Sequence, residues 1–128
     1  MRRFKLLQNE KNVHLALKEV RHAHLTQVVD VFEVDDNGEG KNCYVMEAVR
    51  GETLTDHLKK LGQLAMNERE QMTRCVIIQV LSAIQYLHGL GVAHRDIKMD
   101  NILVERKKLE SDQIKVKLTD FGFTTLIK

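Results

Sequence analysis

Apolar and polar positions along the chain repeat with two different periods, and the places where the period changes mark its elements. Residues 10 to 20 put Val13, Leu17 and Val20 at helical spacing, which predicts an amphipathic helix. An alternating run from Val28 to Val34 follows, then Asp35-Asp36-Asn37-Gly38, then a second run from Asn42 to Met46. Asp or Asn before Gly between apolar runs signals a β-hairpin, read here with a loop that continues through Gly40 and exceeds a two-residue turn. Gly51 relieves the chain before a short helix from about Thr53 to Lys60, where Leu54 and Leu58 share a face.

The longest helix is predicted to begin near Asn67, with Asn67 capping the first turn and Glu70 reaching back to it. Met72, Val76, Val80, Ile84 and Leu87 recur along it at helical spacing, and Cys75, Ile77 and Leu81 widen this stripe into a face that calls for burial. Gly89 is read as its stop and Gly91 as the turn beyond it. Two strands, Ile102 to Val104 and Ile114 to Leu118, complete the pattern, joined by a charged surface loop from Glu105 to Gln113. A helix and hairpin followed by further helices and strands define an α+β class.

Composition narrows the field. With 128 residues, 43% apolar and 30% charged, the chain has the make-up of one modest globular domain. No stretch is apolar enough for a membrane span, and Met1-Arg2-Arg3-Phe4 does not lead into a signal-peptide core, so an intracellular, cytoplasmic setting is expected. A net charge of only +2 points to neither nucleic acid nor a membrane surface, and Arg106-Lys107-Lys108 is bracketed by Glu105 and Glu110. Cys43 and Cys75 sit apart in apolar runs and read as free buried thiols.

Candidate chemistry concentrates in one region. His94-Arg95-Asp96-Ile97-Lys98-Met99-Asp100-Asn101 matches H-R-D-x-x-x-x-N, and the strand from Ile114 breaks at Asp120-Phe121-Gly122. Magnesium brought with a nucleotide prefers hard oxygens, which Asn101 and Asp120 can offer from two loops. A hydroxyl acceptor needs a carboxylate to orient it and take its proton, and a fixed cation offsets charge on the moving phosphoryl group; Asp96 and Lys98 suit these tasks. Residues 96 and 98 alternate along an extended loop, so both are expected to face one cleft with Ile97 turned to the core. Taken singly, an Asp in a loop is usually a turn former and a Lys a solvated charge; the ordered conjunction points to chemistry. His88 reads as a helix-end residue and His94 as a packing one.

These residues resemble the catalytic loop and metal-binding segment of protein kinases. The resemblance implies a partial two-lobe fold: residues 10–46 as a small-lobe portion, 47–52 as the hinge, and 53–128 as a large-lobe portion. It implies ATP and Mg2+ as cofactors and a protein as substrate. In the hinge, the backbone of Glu47 and Val49 would meet the adenine edge and Met46 would gate the pocket behind it. Leu54 and Leu103 would hold the ring, and Leu17, Val28, His94 and Phe121 would stack between the lobes. Lys98 two residues after Asp96 looks like the serine/threonine branch, and Leu118-Thr119-Asp120-Phe121-Gly122-Phe123 is similar to calmodulin-dependent or cyclic-nucleotide-dependent kinases.

The departures matter as well. No G-x-G-x-x-G occurs, Lys5 only faintly resembles the strand lysine, and Val13 stands where its glutamate partner belongs, with Glu10 a poor substitute. Met99 and Ala23 replace usual prolines in a chain that contains none. The chain ends before an activation segment, so it reads as a truncated core, inactive and poorly stable alone, whose exposed apolar surface expects missing flanks or a partner chain. Two other readings stand beside the enzyme: a non-catalytic kinase-like module for nucleotide or protein binding, and a small-molecule kinase.

Overall fold

The computed structural model describes residues 13, 15–106, 114–121 and 124–126. Lys5, Glu10, Gly122, Phe123 and most of the charged loop after Arg106 lie outside them. The mixture of helices and short antiparallel sheets is α+β. Helix α1 is described at residues 13 and 15–18, and its stripe of Val13, Leu17 and Val20 is buried as its spacing predicts.

Strands β1 (Val28–Asp36) and β2 (Glu39–Met46) form the antiparallel hairpin. The turn is shorter than expected. Asp36 pairs with Glu39, leaving only Asn37 and Gly38 between the strands, at φ 54° and 85°. Positive φ at both central residues is the backbone a tight two-residue hairpin needs, and Asn tolerates it better than other side chains. The Asp35 carboxylate accepts the Gly38 N–H at 3.0 Å and secures the turn.

The second sheet sets β5 (Ile102–Glu105) between β3 (Gly51–Thr53) and β6 (Lys115–Leu118). Strand β3, unforeseen in the sequence, is admitted by Gly51: a Cβ there would lie 1.8 Å from the Val104 carbonyl oxygen. A short pair, β4 (Val92–Ala93) with β7 (Thr125–Leu126), flanks the loop that follows β4.

Thr53 is the N-cap of α2 (Leu54–Leu61) and not its first residue; its hydroxyl accepts the Asp56 N–H at 3.1 Å. Helix α3 (Met66–Gly89) departs from expectation at both ends. It begins one residue earlier, so Asn67 lies inside the first turn and accepts only the adjacent Glu68 N–H, while Glu70 pairs with Arg74 one turn on. The capping box is therefore absent. At the other end Gly89 is still helical, and Gly91, at φ 78°, makes the left-handed exit while its N–H donates to His88 O at 3.0 Å.

Helix α3 is buried on one side only. Val76, Val80, Ala83 and Leu87 enter the core, whereas Ile77, Ile78 and Leu81 are 50%, 67% and 57% exposed. The widened stripe is thus not covered by the described residues, contrary to the burial its composition calls for. Cys43 and Cys75 are free as expected, but half-buried. Among the described residues no helix is long and apolar enough to cross a membrane.

A connector from Arg21 to Gln27, between α1 and β1, bonds to α3 and β6. The Arg21 N–H donates to the Tyr86 hydroxyl at 3.0 Å. His22 Nδ1 accepts the His24 N–H at 3.0 Å, so its hydrogen lies on Nε2, which donates to Ser82 Oγ at 3.1 Å. Leu25 bridges Leu118 in parallel, and Thr26 sends both its N–H and its hydroxyl to Leu118 O.

Two substitutions test this architecture by denaturant unfolding. Gly51→Ala should destabilise by about 1–3 kcal/mol through overpacking against β5. Gly89→Ala, at a helical position with open space around the new methyl, should be neutral or stabilise by up to about 1 kcal/mol. A third expectation concerns pH. Burial, and next the neighbouring His24, hold the His22 imidazole below its ordinary value of 6.5. The unfolded chain therefore takes up that proton first, and the contribution is complete above the ordinary value and lost as pH falls through the lower folded one. The unfolding midpoint should drop as pH falls below the ordinary value of 6.5, and His22→Gln should remove part of the drop.

Candidate functional site

The loop between β4 and β5 is built around a buried imidazole. His94 is 2% exposed, and its Nδ1 accepts the Asp96 N–H at 3.1 Å. A backbone N–H can only donate, so the ring hydrogen sits on Nε2 and is given to Thr119 O at 2.8 Å. Phe121 packs edge-on against the ring with centroids 5.7 Å apart. Leu17, Val28 and Phe121 are all buried in the core cluster.

Asn101, 6% exposed at the end of a single 3-10 turn (Met99–Asn101), closes the loop. Its side-chain amide donates to Asp96 O at 2.8 Å and to Asp96 Oδ2 at 3.0 Å. Both partners are acceptors, which sets the orientation of the amide and leaves Oδ1 as the oxygen it can offer a cation. Lys98 Nζ lies 3.8 Å from Asp96 Oδ1, with the Lys98 side chain 56% exposed and that of Asp96 20%. A long pair with so exposed a lysine contributes little to stability and leaves the ammonium able to move to another anion.

Asp96, Lys98 and Asn101 thus form one group. Asp120 is joined to it through the backbone: Thr119, its neighbour, donates its N–H to Asn101 O at 2.8 Å and accepts from His94. Asp120 is exposed, with φ at 63°. Ile97 departs from expectation, being 48% exposed instead of turned to the core. Asp96 and Lys98 do lie together, 3.8 Å apart, but the described residues do not cover the side that Ile97 takes.

The residues expected to form a hinge lie between the end of β2 and the start of β3. Met46 ends β2 opposite Val28, and Val49 is half-buried in the segment before β3. Leu54 is buried at the start of α2, and Leu103 pairs with Thr53 on one side and Lys117 on the other. The Glu47 side chain has a role that the motif reading missed. Its Oε1 receives Lys117 Nζ at 2.8 Å and the Gln27 N–H at 3.0 Å. Burial pushes the Glu47 carboxyl up, but these bonds outweigh it and hold the group below the usual carboxylate range. Alternation alone does not reveal this pairing of Lys117, and nothing nearby in the sequence marks its partner.

Two further polar ties surround the loop. The Thr55 hydroxyl donates to Asp100 Oδ1, linking α2 to the loop. Glu52 is held by Lys60 at 2.7 Å and His57 at 2.9 Å, which keep its carboxyl below its ordinary range. Among the described residues no three His, Cys, Asp or Glu side chains gather as a metal cage.

Residues 3–128 match the family described as Protein kinase domain, and the chain belongs to that family. Among curated relatives, bovine (Bos taurus) serine/threonine-protein kinase 33 is 35% identical over 121 residues, covering 92% of this chain and 23% of the relative. Human (Homo sapiens) testis-specific serine/threonine-protein kinase 3 is 35% identical over 111 residues, covering 87% of this chain and 37% of the relative. Human MAP kinase-activated protein kinase 2 is 34% identical over 125 residues, covering 93% of this chain and 30% of the relative. The chain therefore spans well under half the length of these relatives.

Asn101→Ala removes both of these donors from half-buried Asp96. It should destabilise by about 1–3 kcal/mol in denaturant titrations.

Proposed function

We propose that this chain carries the chemical core of a serine/threonine protein kinase, which transfers the γ-phosphoryl group of ATP to a hydroxyl of a protein substrate. The observation that carries the reading is the clamp on Asp96, held by the Asn101 amide at 2.8 and 3.0 Å with Lys98 beside it. A carboxylate restrained in this way, with its other oxygen facing an ammonium, is prepared to orient a hydroxyl and accept its proton. Lys98 offsets charge on the phosphoryl oxygens. The serine/threonine assignment follows the names of the relatives and the lysine two residues after Asp96.

Asn101 Oδ1 and the Asp120 carboxylate are the oxygens that would hold magnesium. A pair of hard oxygen donors suits an ion that keeps waters and phosphate oxygens in its shell. Magnesium neutralises charge on the phosphates when bound. Leu54 and Leu103 would enclose the adenine, whose edge meets the backbone of Glu47 and Val49 with Met46 behind.

Asp96→Ala in the full-length protein should lower turnover about 100- to 10,000-fold, measured as phosphate transfer to a protein substrate. Unchanged turnover removes the assignment. Magnesium-dependent nucleotide binding by the wild type with no transfer would favour the binding module, and phosphorylated metabolites as the product would favour a small-molecule kinase.

A further inference from the structure

We infer that Glu47 and Lys117 are a positioning pair that locks the adenine-binding hinge to the strand delivering Asp120, so that one ion pair sets the base-binding and metal-binding segments together. The inference rests on the nucleotide reading above and adds Lys117, which no motif contains, and a role for the side chain of Glu47.

Lys117 stands on β6 three residues before Asp120. Its side chain is only 12% exposed, against 34% for Glu47. A lysine this buried needs an anion, and Glu47 Oε1 supplies it at 2.8 Å. The bonds from Lys117 and the Gln27 N–H hold the Glu47 carboxyl below its ordinary range despite its burial. Lys117 is the register partner of Leu103 and shares its face of the sheet, placing the lysine stem beside a residue proposed to hold the adenine.

Glu47 is secured by backbone as well. Its N–H donates to Gln27 O at 3.0 Å, and the oxygen that binds Lys117 also accepts the Gln27 N–H at 3.0 Å. Gln27 follows Thr26, whose N–H and hydroxyl both end on Leu118 O. The hinge residue is therefore joined to β6 by two routes, one through the Lys117 ammonium and one through residues 26 and 27. Losing the first leaves the second, so the fold can survive while the hinge loses its set position. The same residue that offers its backbone to the adenine edge carries the carboxylate, and any displacement reaches the base directly.

Calorimetric titration of the full-length protein with adenosine and with magnesium-ADP tests this in the wild type, E47Q, K117M, the double variant and K117R. Each single neutralisation should weaken both ligands about tenfold, the double variant should be no weaker than either single, and K117R should stay within about twofold of wild type. Single variants within about twofold of wild type, losses that multiply in the double variant, or K117R as weak as K117M would each overturn the pair. If K117M does not fold, K117Q takes its place under the same criteria. A wild type that binds neither ligand overturns the nucleotide reading and this inference with it, whereas a binding wild type with unaffected variants overturns this inference alone.

Discussion

Thr119 has both backbone hydrogen-bonding groups taken by the loop that carries Asp96. Its N–H ends on Asn101 O and its carbonyl receives His94 Nε2, each at 2.8 Å. These two bonds span the segment from the first to the last motif residue of the loop, and they meet at the residue before Asp120. Loop and strand end therefore cannot move separately without exposing buried polar groups, whose unmet bonds cost far more than a surface contact returns. His94 serves the constraint by accepting from one segment and donating to the other. Its burial is the condition for both bonds to be strong.

Strand β6 is the piece to which the rest attaches. One edge pairs with β5, and the other takes Leu25 in parallel, with the Leu118 N–H donating to His24 O and the Thr26 N–H donating to Leu118 O. From α3, Gln79 accepts the Val116 N–H at 2.8 Å and donates to Ile114 O at 2.9 Å, binding the helix to the same strand. Val116 and Leu118 are fully buried between these contacts. A four-residue strand would be marginal alone; here side chains from a distant helix and a connector supply the pairing that additional strands usually provide.

Regular elements were legible wherever the apolar period was long. Val76, Val80 and Leu87 on α3, and Val116 and Leu118 on β6, face the core as their spacing requires. Asp96, Lys98 and Asn101 could be nominated because their order is a chemical pattern, and the family match agrees with the kinase resemblance. What escaped were contacts between residues far apart in the chain. Glu47 and Lys117 are 70 positions apart, and a lysine in an alternating strand looks solvated until its partner is known. Gln79 similarly reads as a polar helix position. Ile97 was misplaced for another reason: alternation sets which residues share a side, as Asp96 and Lys98 do, but not whether the other side meets the core. Just before Asp96, Arg95 is left-handed. The Asn67 cap failed because a helix can start a residue early without altering its apolar stripe.

That left-handed residue is part of a pattern. Among the described residues, positive φ at a residue other than glycine occurs at Asn37, Arg95 and Asp120. Asn37 sits in a hairpin turn that demands such a backbone and has a side chain that tolerates it. Arg95 and Asp120 lie on either side of the Thr119 tie, and for an arginine this conformation costs about 1–3 kcal/mol with no turn to require it. The surroundings must over-determine it, and they do. His94 is pinned through its ring and Asp96 through its N–H, so Arg95 has to span two residues whose positions are already set. Asp120 is bounded likewise by the doubly bonded Thr119 and by Phe121, which is buried against the His94 ring. Strain on both sides of one buried imidazole thus follows from the hydrogen bonds that join the loop to the strand. It keeps Arg95 and Asp120, the neighbours of Asp96 and Thr119, in sparsely populated geometry that an isolated peptide would leave.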